Sequence, residues 1–275
     1  MVQRLAAGGH EVVALSRRAP APPGAAHVVQ ADITDVQALQ RVGDERPCEA
    51  IVHAAAALSG AAHDPEIPAV NCLGTQRVLW LAEHWRCRRF VFTSSIQVVG
   101  RPRVLPIDEE HPLDPQTEYH ASKLFGERLV ALAAGRGIMA TSLRLTSPVG
   151  PGMPGGRIFS VFVQRALAGL PLEVAGSGSR RQDYVDVRDV ADAVALAIDR
   201  GASGLLNVGS GRAVSNRELA ERCAERLGGG SPVQLSGEPD AEEGVSWEVA
   251  IDRASTVLGY APSRSLEDSI RDVAA

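Results

Sequence analysis

Arg89-Phe90-Val91-Phe92-Thr93-Ser94-Ser95, followed 24 residues later by Tyr119-His120-Ala121-Ser122-Lys123, is the stretch from which the fold can be read. The first run is apolar almost throughout and ends in hydroxyls, which suits a strand covered on both faces. The second run heads an amphipathic helix. A strand that delivers hydroxyls at its carboxyl end and then crosses over to a helix is the unit of a doubly wound sheet, whose ligand crevice lies at that end.

Outward from this unit the alternation repeats. Strands are expected at 11–16, 26–31, 50–55, 89–94 and 140–145, separated by helices at 36–42, 69–85 and 120–134. That order predicts βαβ crossovers, hence an α/β fold built on a doubly wound parallel sheet. Past Gly150 the texture changes to Pro151-Gly152-Met153-Pro154-Gly155-Gly156. Helices follow near 157–169 and 189–200, and another starts at Ser215, where Ser215 and Glu218 form a capping box. The expected organisation is a large domain over 1–150 and a smaller lobe over 151–275, interleaved with the first.

The 275 residues are 45% hydrophobic, enough for a sizeable core. Apolar runs such as 50–59 stop short of the roughly 18 residues of a membrane span, and no signal-like segment opens the chain. A net charge of -5 gives no footing for nucleic acid or an anionic membrane. Four scattered cysteines without zinc spacing suit a reducing cytoplasm. Of the 28 basic residues only Lys123 is a lysine. In so arginine-rich a chain its retention points to a need for an ammonium, which guanidinium cannot replace.

Tyr119 and Lys123, one helical turn apart, share a face. An adjacent ammonium is expected to favour the phenolate and bring the phenol toward proton transfer near neutrality, while Ser95 shares the substrate oxygen. With strand, order and spacing all in place, the sequence resembles the extended short-chain dehydrogenase/reductase superfamily, in its NAD-dependent epimerase/dehydratase branch. The resemblance implies a Rossmann-like fold with a C-terminal substrate lobe, and makes Ser95, Tyr119 and Lys123 catalytic. It implies that Asp32 and Ile33 meet the adenine, that the backbone at Ala54 and Ala55 passes the dinucleotide, and that Lys123 holds its ribose. Asn71 with Gly74-Thr75 matches the family's helix signature, the asparagine supporting the site. Other matching segments are Leu143-Arg144 through Gly150-Pro151, Asp183-Tyr184-Val185, Asn207 to Gly211, and Leu258-Gly259-Tyr260. Residue-level alternatives stand beside these: Asp32 as a local cap, His53 as a satisfied strand-end histidine, and Gly209-Ser210-Gly211 as a plain turn, since Val214 replaces the third glycine of GxGxxG.

Departures from the family narrow the chemistry. Ser95 is followed by Ile96-Gln97 where the 4,6-dehydratases carry Asp-Glu, so that dehydration is not expected. Ser147 replaces a usual asparagine and Gln182 a diphosphate-binding arginine, for which Arg180 or Arg181 could substitute. Ser147, Arg181 and Gln182 are therefore the expected substrate contacts. Ser16-Arg17-Arg18 ends its strand with two cations and no acid, so NADP is favoured, through Arg17, over NAD. The expected activity is hydride transfer at a secondary alcohol or ketone, of a sugar nucleotide or a related metabolite, as epimerase or dehydrogenase. The alternatives are an NADPH-dependent ketoreductase of a small non-nucleotide substrate and a non-catalytic binding protein. A homodimer through helix 69–85 and the helix at Tyr119 is implied, with Leu73, Leu81 and Leu132 as core candidates unless they face the sheet. Finally, Met1 to His10 resemble the far end of the helix that follows the family's first strand and glycine-rich turn. That strand would lie between those at 11–16 and 50–55 and contribute about 10 kcal/mol of apolar burial, so a misassigned start is expected, or else a real truncation.

Overall fold

Along the strand at 89–95, Phe90 and Phe92 face one core and Val91 another, as a two-residue period requires. The rest of the chain is wound to cover both faces. The computed structural model describes residues 1–17, 22–45, 48–58, 62–228 and 230–275. In chain order these form α1 (Val2–Ala7), β1 (Val13–Ser16), β2 (His27–Gln30), α2 (Val36–Glu45), β3 (Ala50–His53), a π-helix (Ile67–Gly74) running into α3 (Thr75–His84), and β4 (Arg89–Ser95). A 3-10 turn (Ile96–Val99) leads to α4 (Glu118–Ala134), β5 (Met139–Leu145), β6 (Ser147–Val149), α5 (Ile158–Leu167), β7 (Leu172–Val174) and β8 (Arg181–Asp186). Then come α6 (Val187–Arg200), β9 (Gly204–Val208), β10 (Ala213–Ser215), α7 (Asn216–Leu227), β11 (Val233–Leu235), β12 (Ser246–Trp247), α8 (Asp252–Leu258) and α9 (Leu266–Ala274).

Four strands make a parallel sheet in the order β3-β4-β5-β9, with Ser95 opposite Leu145 at its carboxyl edge. Leu79, Leu81 and Val130 of α3 and α4 cover the Phe90/Phe92 face. Val194, Ile198 and Leu258 of α6 and α8 cover the face carrying Val91, Leu143 and Leu206. β9 comes from the later part of the chain and completes the main sheet beside β5. A separate layer of α5, α7 and α9 packs Phe159, Phe162, Leu219 and Ile270 against β7 and β8.

β1 and β2 form their own two-stranded parallel sheet, and among the described residues no ladder joins them to β3, the two sheets parting where a further strand is expected between 11–16 and 50–55. Shared layers still unite the two sheets: Leu15 and Ile51 pack on one core, Val12 and Val52 on the other. The helix expected at 69–85 begins as a π-helix, because Thr75 Oγ1 donates to the Asn71 carbonyl at 2.6 Å and competes with the backbone ladder. The strand expected at 50–55 stops at His53, leaving Ala54 and Ala55 exposed in the loop beyond it. Cys48 and Cys87, distant in sequence, bring their Sγ atoms within 3.5 Å. Among the described residues no helix is long and apolar enough to cross a membrane.

α4 is seated on the sheet by two devices. A Cβ on Gly126 would lie 2.5 Å from Phe92 Cζ, so only glycine allows this approach. One residue on, Glu127 receives Arg144 of β5 in a bidentate pair, Nε to Oε1 at 2.9 Å and Nη2 to Oε2 at 2.8 Å. Ser94 Oγ adds a 2.6 Å bond to Oε1, and Arg144 is 1% exposed. Glu127→Ala would strand a buried guanidinium; we expect a loss of about 3–5 kcal/mol, read as a lowered denaturant midpoint, whereas an exposed pair would cost under about 1 kcal/mol.

Candidate active site

Lys123 crosses from α4 to β4, where Nζ donates to the Thr93 carbonyl at 2.8 Å. The residue is 3% exposed, and burial lowers its pKa to about 8. Nζ stands 5.0 Å from the Phe92 ring centre and 5.7 Å from that of Tyr119, one turn earlier on α4. Thr117 caps this helix, Oγ1 accepting from His120 N at 3.2 Å. Ser95 ends β4 two residues past the carbonyl that anchors Lys123, and its Oγ accepts from Gln97 N at 3.3 Å. The folded chain thus gathers Ser95, Tyr119 and Lys123 around the carboxyl end of β4.

Polar partners brace the arrangement from behind. Asn71 accepts from Ala57 N at 2.7 Å and donates to Ser122 Oγ at 3.0 Å, tying the loop after β3 to α4. Ser122 Oγ in turn donates to the Tyr119 carbonyl at 2.7 Å. His53 is buried, with Nε2 2.9 Å from Thr75 Oγ1, and burial with the nearby Lys123 charge lowers its pKa to about 3. It is a neutral structural histidine.

The electrostatics of Tyr119 depart from the sequence expectation. Burial is the dominant effect and pushes the phenol pKa up, and the cation that opposes the rise is Arg157. Lys123 is itself desolvated and anchored to Thr93. Sequence reasoning missed Arg157, which caps α5 behind Gly155-Gly156. The available signal was a cation at a helix N-terminus, where the dipole disfavours it.

The remaining candidates are dispersed. Arg17 and Asp32 come together at the carboxyl ends of β1 and β2, Nη1 to Oδ2 at 3.8 Å, while Asp32 Oδ1 accepts from Thr34 N and Oγ1, both at 2.8 Å. Arg18 lies outside the described residues. The Ile33 side chain is buried against Gly74. Ser147 pairs with Tyr184 between β6 and β8, and Gln182 is buried on β8. Arg181 Nη1 turns to Glu218 Oε2 at 3.5 Å, and Arg180 pairs with Glu242. Gly209-Ser210-Gly211 is a cradle for the Asp183 carboxylate, which accepts from Ser210 N at 2.8 Å and Gly211 N at 2.9 Å.

These residues fit a nicotinamide dinucleotide at two places. Among the described residues only Thr93 accepts from Lys123, which leaves ammonium donors for a ribose. Arg17, Asp32 and the exposed backbone at Ala54 and Ala55 line the strand ends where the adenosine half would run.

Residues 1–209 match the NAD dependent epimerase/dehydratase family. The chain belongs to that family. It is 33% identical to a UDP-glucose 4-epimerase of Mycolicibacterium smegmatis, over 98% of this chain and 91% of the relative. It is 31% identical to a dTDP-6-deoxy-L-talose 4-dehydrogenase (NAD(P)(+)) of Kitasatospora kifunensis, over 98% and 89%. The UDP-glucose 4-epimerase of Thermus thermophilus, solved with NAD, superposes with a TM-score of 0.85 at 25% identity, over 99% and 94%. As an epimerase/dehydratase family enzyme, this chain should reveal its active-site cation by titration. Burial raises the phenols of Tyr184 and Tyr260 as well, so the Tyr119 transition needs its own marker. Arg157→Met should move the Tyr119 ionisation to higher pH in tyrosinate absorbance, with Tyr119→Phe identifying the transition. An unchanged midpoint would remove Arg157 from the account.

Proposed function

We propose that this protein is an NAD(P)-dependent epimerase or dehydrogenase acting at a secondary alcohol or ketone of a sugar nucleotide or related metabolite. The observation that carries the reading is the assembly of Ser95, Tyr119 and the buried Lys123 at the carboxyl end of β4. Bound nicotinamide supplies the hydride chemistry. The chain's own residues manage the proton: Tyr119, a phenol at pH 7 whose pKa burial pushes further up, donates to or withdraws from the substrate oxygen, and Ser95 Oγ shares that oxygen. Lys123 positions the ribose and is itself held in place by Thr93. Arg157 opposes the cost of a phenolate.

Arg17 supports NADP over NAD, because its guanidinium stands at the carboxyl end of β1 with, among the described residues, a loose 3.8 Å contact to Asp32. Arg180 and Arg181 are both engaged by glutamates. That favours, as the second reading, a ketoreductase whose substrate carries no diphosphate. Net loss of NADPH absorbance with substrate supports the reductase, turnover without net cofactor change supports the epimerase, and NADH run in parallel decides the cofactor. In the same assay Tyr119→Phe should lose about 10²–10⁴ in kcat and keep cofactor affinity within a few fold. Lys123→Arg should be severely impaired although charge is kept; wild-type kinetics in either variant would sink the assignment.

A homodimer is part of the proposal. Leu73, Trp80, Phe125 and Leu132 are exposed on the adjoining π-helix, α3 and α4, whereas Leu81, an expected interface residue, is 2% exposed and faces the sheet. The exposed four make a two-helix apolar face of the kind an isologous contact buries. Phe125→Arg with Leu132→Arg should convert a dimer to monomer in sedimentation; a wild-type protein that is monomeric at micromolar concentration excludes it.

A further inference from the structure

At the amino end of the main sheet, opposite the Ser95, Tyr119 and Lys123 set, the fold brings two thiols together. The β3–β4 ladder pairs Ala50 with Arg89, so two residues earlier on each segment Cys48 stands beside Cys87. Arg88 N and Arg89 N both donate to the Glu49 carbonyl, at 2.9 and 3.2 Å, and Cys87 N donates to the Ala82 carbonyl at 2.8 Å. These bonds hold the two backbones side by side. Adjacent strands lie roughly 4.8 Å apart, inside the range of about 4.4–6.8 Å between Cα atoms that a disulfide bridges. The Sγ atoms are 3.5 Å apart, and Cys87 Sγ also donates to the Cys48 carbonyl at 2.9 Å. With the backbones already at bridging distance, bonding the two sulfurs asks for side-chain rotation.

Their surroundings separate these two cysteines from the others. Cys87 is 4% exposed and Cys48 half-buried. The Cys87 S–H directed at Cys48 holds the Cys48 thiol below its ordinary pKa, while the same contact and burial push the Cys87 thiol up. Burial pushes up the thiols of Cys72 and Cys223 too, and among the described residues neither bonds to a second sulfur. The pair is also reachable, because Cys87 lines an open pocket of about 480 Å³ whose wall carries Arg86, Arg88 and Arg136. Glu83 is the acid of that wall and is held by Arg136, Nε to Oε1 at 2.7 Å. Among the described residues no carboxylate pairs with Arg86 or Arg88. Thiols in a partly open, electropositive setting are the ones that exchange.

We propose that Cys48 and Cys87 are a reversible redox pair, oxidised by low-molecular-weight disulfides to an intramolecular bond that staples the amino ends of β3 and β4. The Cys48 thiolate attacks one sulfur of the small disulfide, whose S–S bond breaks; one small thiolate leaves and a mixed disulfide forms on Cys48. Cys87 then gives its proton to the departed thiolate, attacks Cys48 Sγ and displaces the second small thiolate. The two protein thiols lose two electrons and two protons, and the small disulfide becomes two thiols. The new bond joins residues 39 positions apart and encloses β3, the π-helix and α3, so it stabilises by restricting the unfolded chain. It lies at the other end of β4 from Ser95 and does not depend on the hydride-transfer reading.

The test incubates the native wild-type protein with millimolar oxidised glutathione, blocks the remaining thiols under denaturing conditions and maps the non-reduced digest by mass spectrometry. We expect a Cys48–Cys87 linked peptide, with Cys72 and Cys223 recovered as blocked thiols. The thermal midpoint should rise by about 5 °C or more and return to its starting value with dithiothreitol. Cys87→Ser should halt at the mixed disulfide, collecting glutathione on Cys48, and Cys48→Ser should collect it on Cys87 at least about fivefold more slowly. The proposal is overturned if the linked peptide forms only after denaturation, if Cys72 takes glutathione as fast as Cys48 does in Cys87→Ser, if the two variants collect it equally, or if the linked protein melts with the reduced one. Turnover enters none of these readouts, so failure here and failure of the proposed activity are told apart.

Discussion

The buried pair between Arg144 and Glu127 is the constraint on which the rest of the structure hangs. It joins the middle of α4 to β5, and through Ser94 to β4. Arg144 Nη1 also reaches toward the Glu109 carbonyl at 3.4 Å, and Glu109 Oε1 accepts from Asn207 N at 2.7 Å on β9. One charge network therefore fixes α4, three strands of the sheet and the segment joining β4 to α4. Desolvating such ions is costly, and the result is a single seating of α4, which an apolar contact would leave free to slide.

That seating decides the chemistry. Lys123 is one turn before Glu127 on α4, so the height of the helix sets where its ammonium meets β4. The same burial that positions the ammonium lowers its pKa to about 8 and raises that of Tyr119. A lone ammonium at this distance does not overcome desolvation of the phenol, and a second cation arrives from α5. Asp183 shows the same logic on β8: buried, with its carboxylate pKa raised by burial against hydrogen bonds from Ser210, Gly211 and Thr146, it organises the turn at Gly209 to Gly211.

Much of this is legible in the sequence because it depends on local periodicity and spacing. The alternation of apolar runs and amphipathic segments announces the parallel sheet, and Ser215 with Glu218 announces the capped start of α7, whose two reciprocal bonds form as expected. The lone lysine marks the helix that crosses to the end of β4, where its ammonium is buried against the Thr93 carbonyl. His53 and the Gly209 turn each have an ordinary local use in the sequence, and each makes ordinary bonds in the fold.

What the sequence by itself determined, then, was which segments are strands and helices and which residues share a helical face, because those follow from a fixed rise and twist per residue. Only the tertiary structure decided which charges are buried and what they meet. Arg144 and Glu127 are 17 residues apart and read singly as surface ions. Trp247 and His120, over a hundred positions apart, become walls of one cleft only when β12 lies beside β8. Leu81 turned to the core while Leu73 and Leu132 stayed outside, a choice made by the roll of α3 and α4 on the sheet. Desolvation and long-range pairing depend on neighbours that no window of sequence contains.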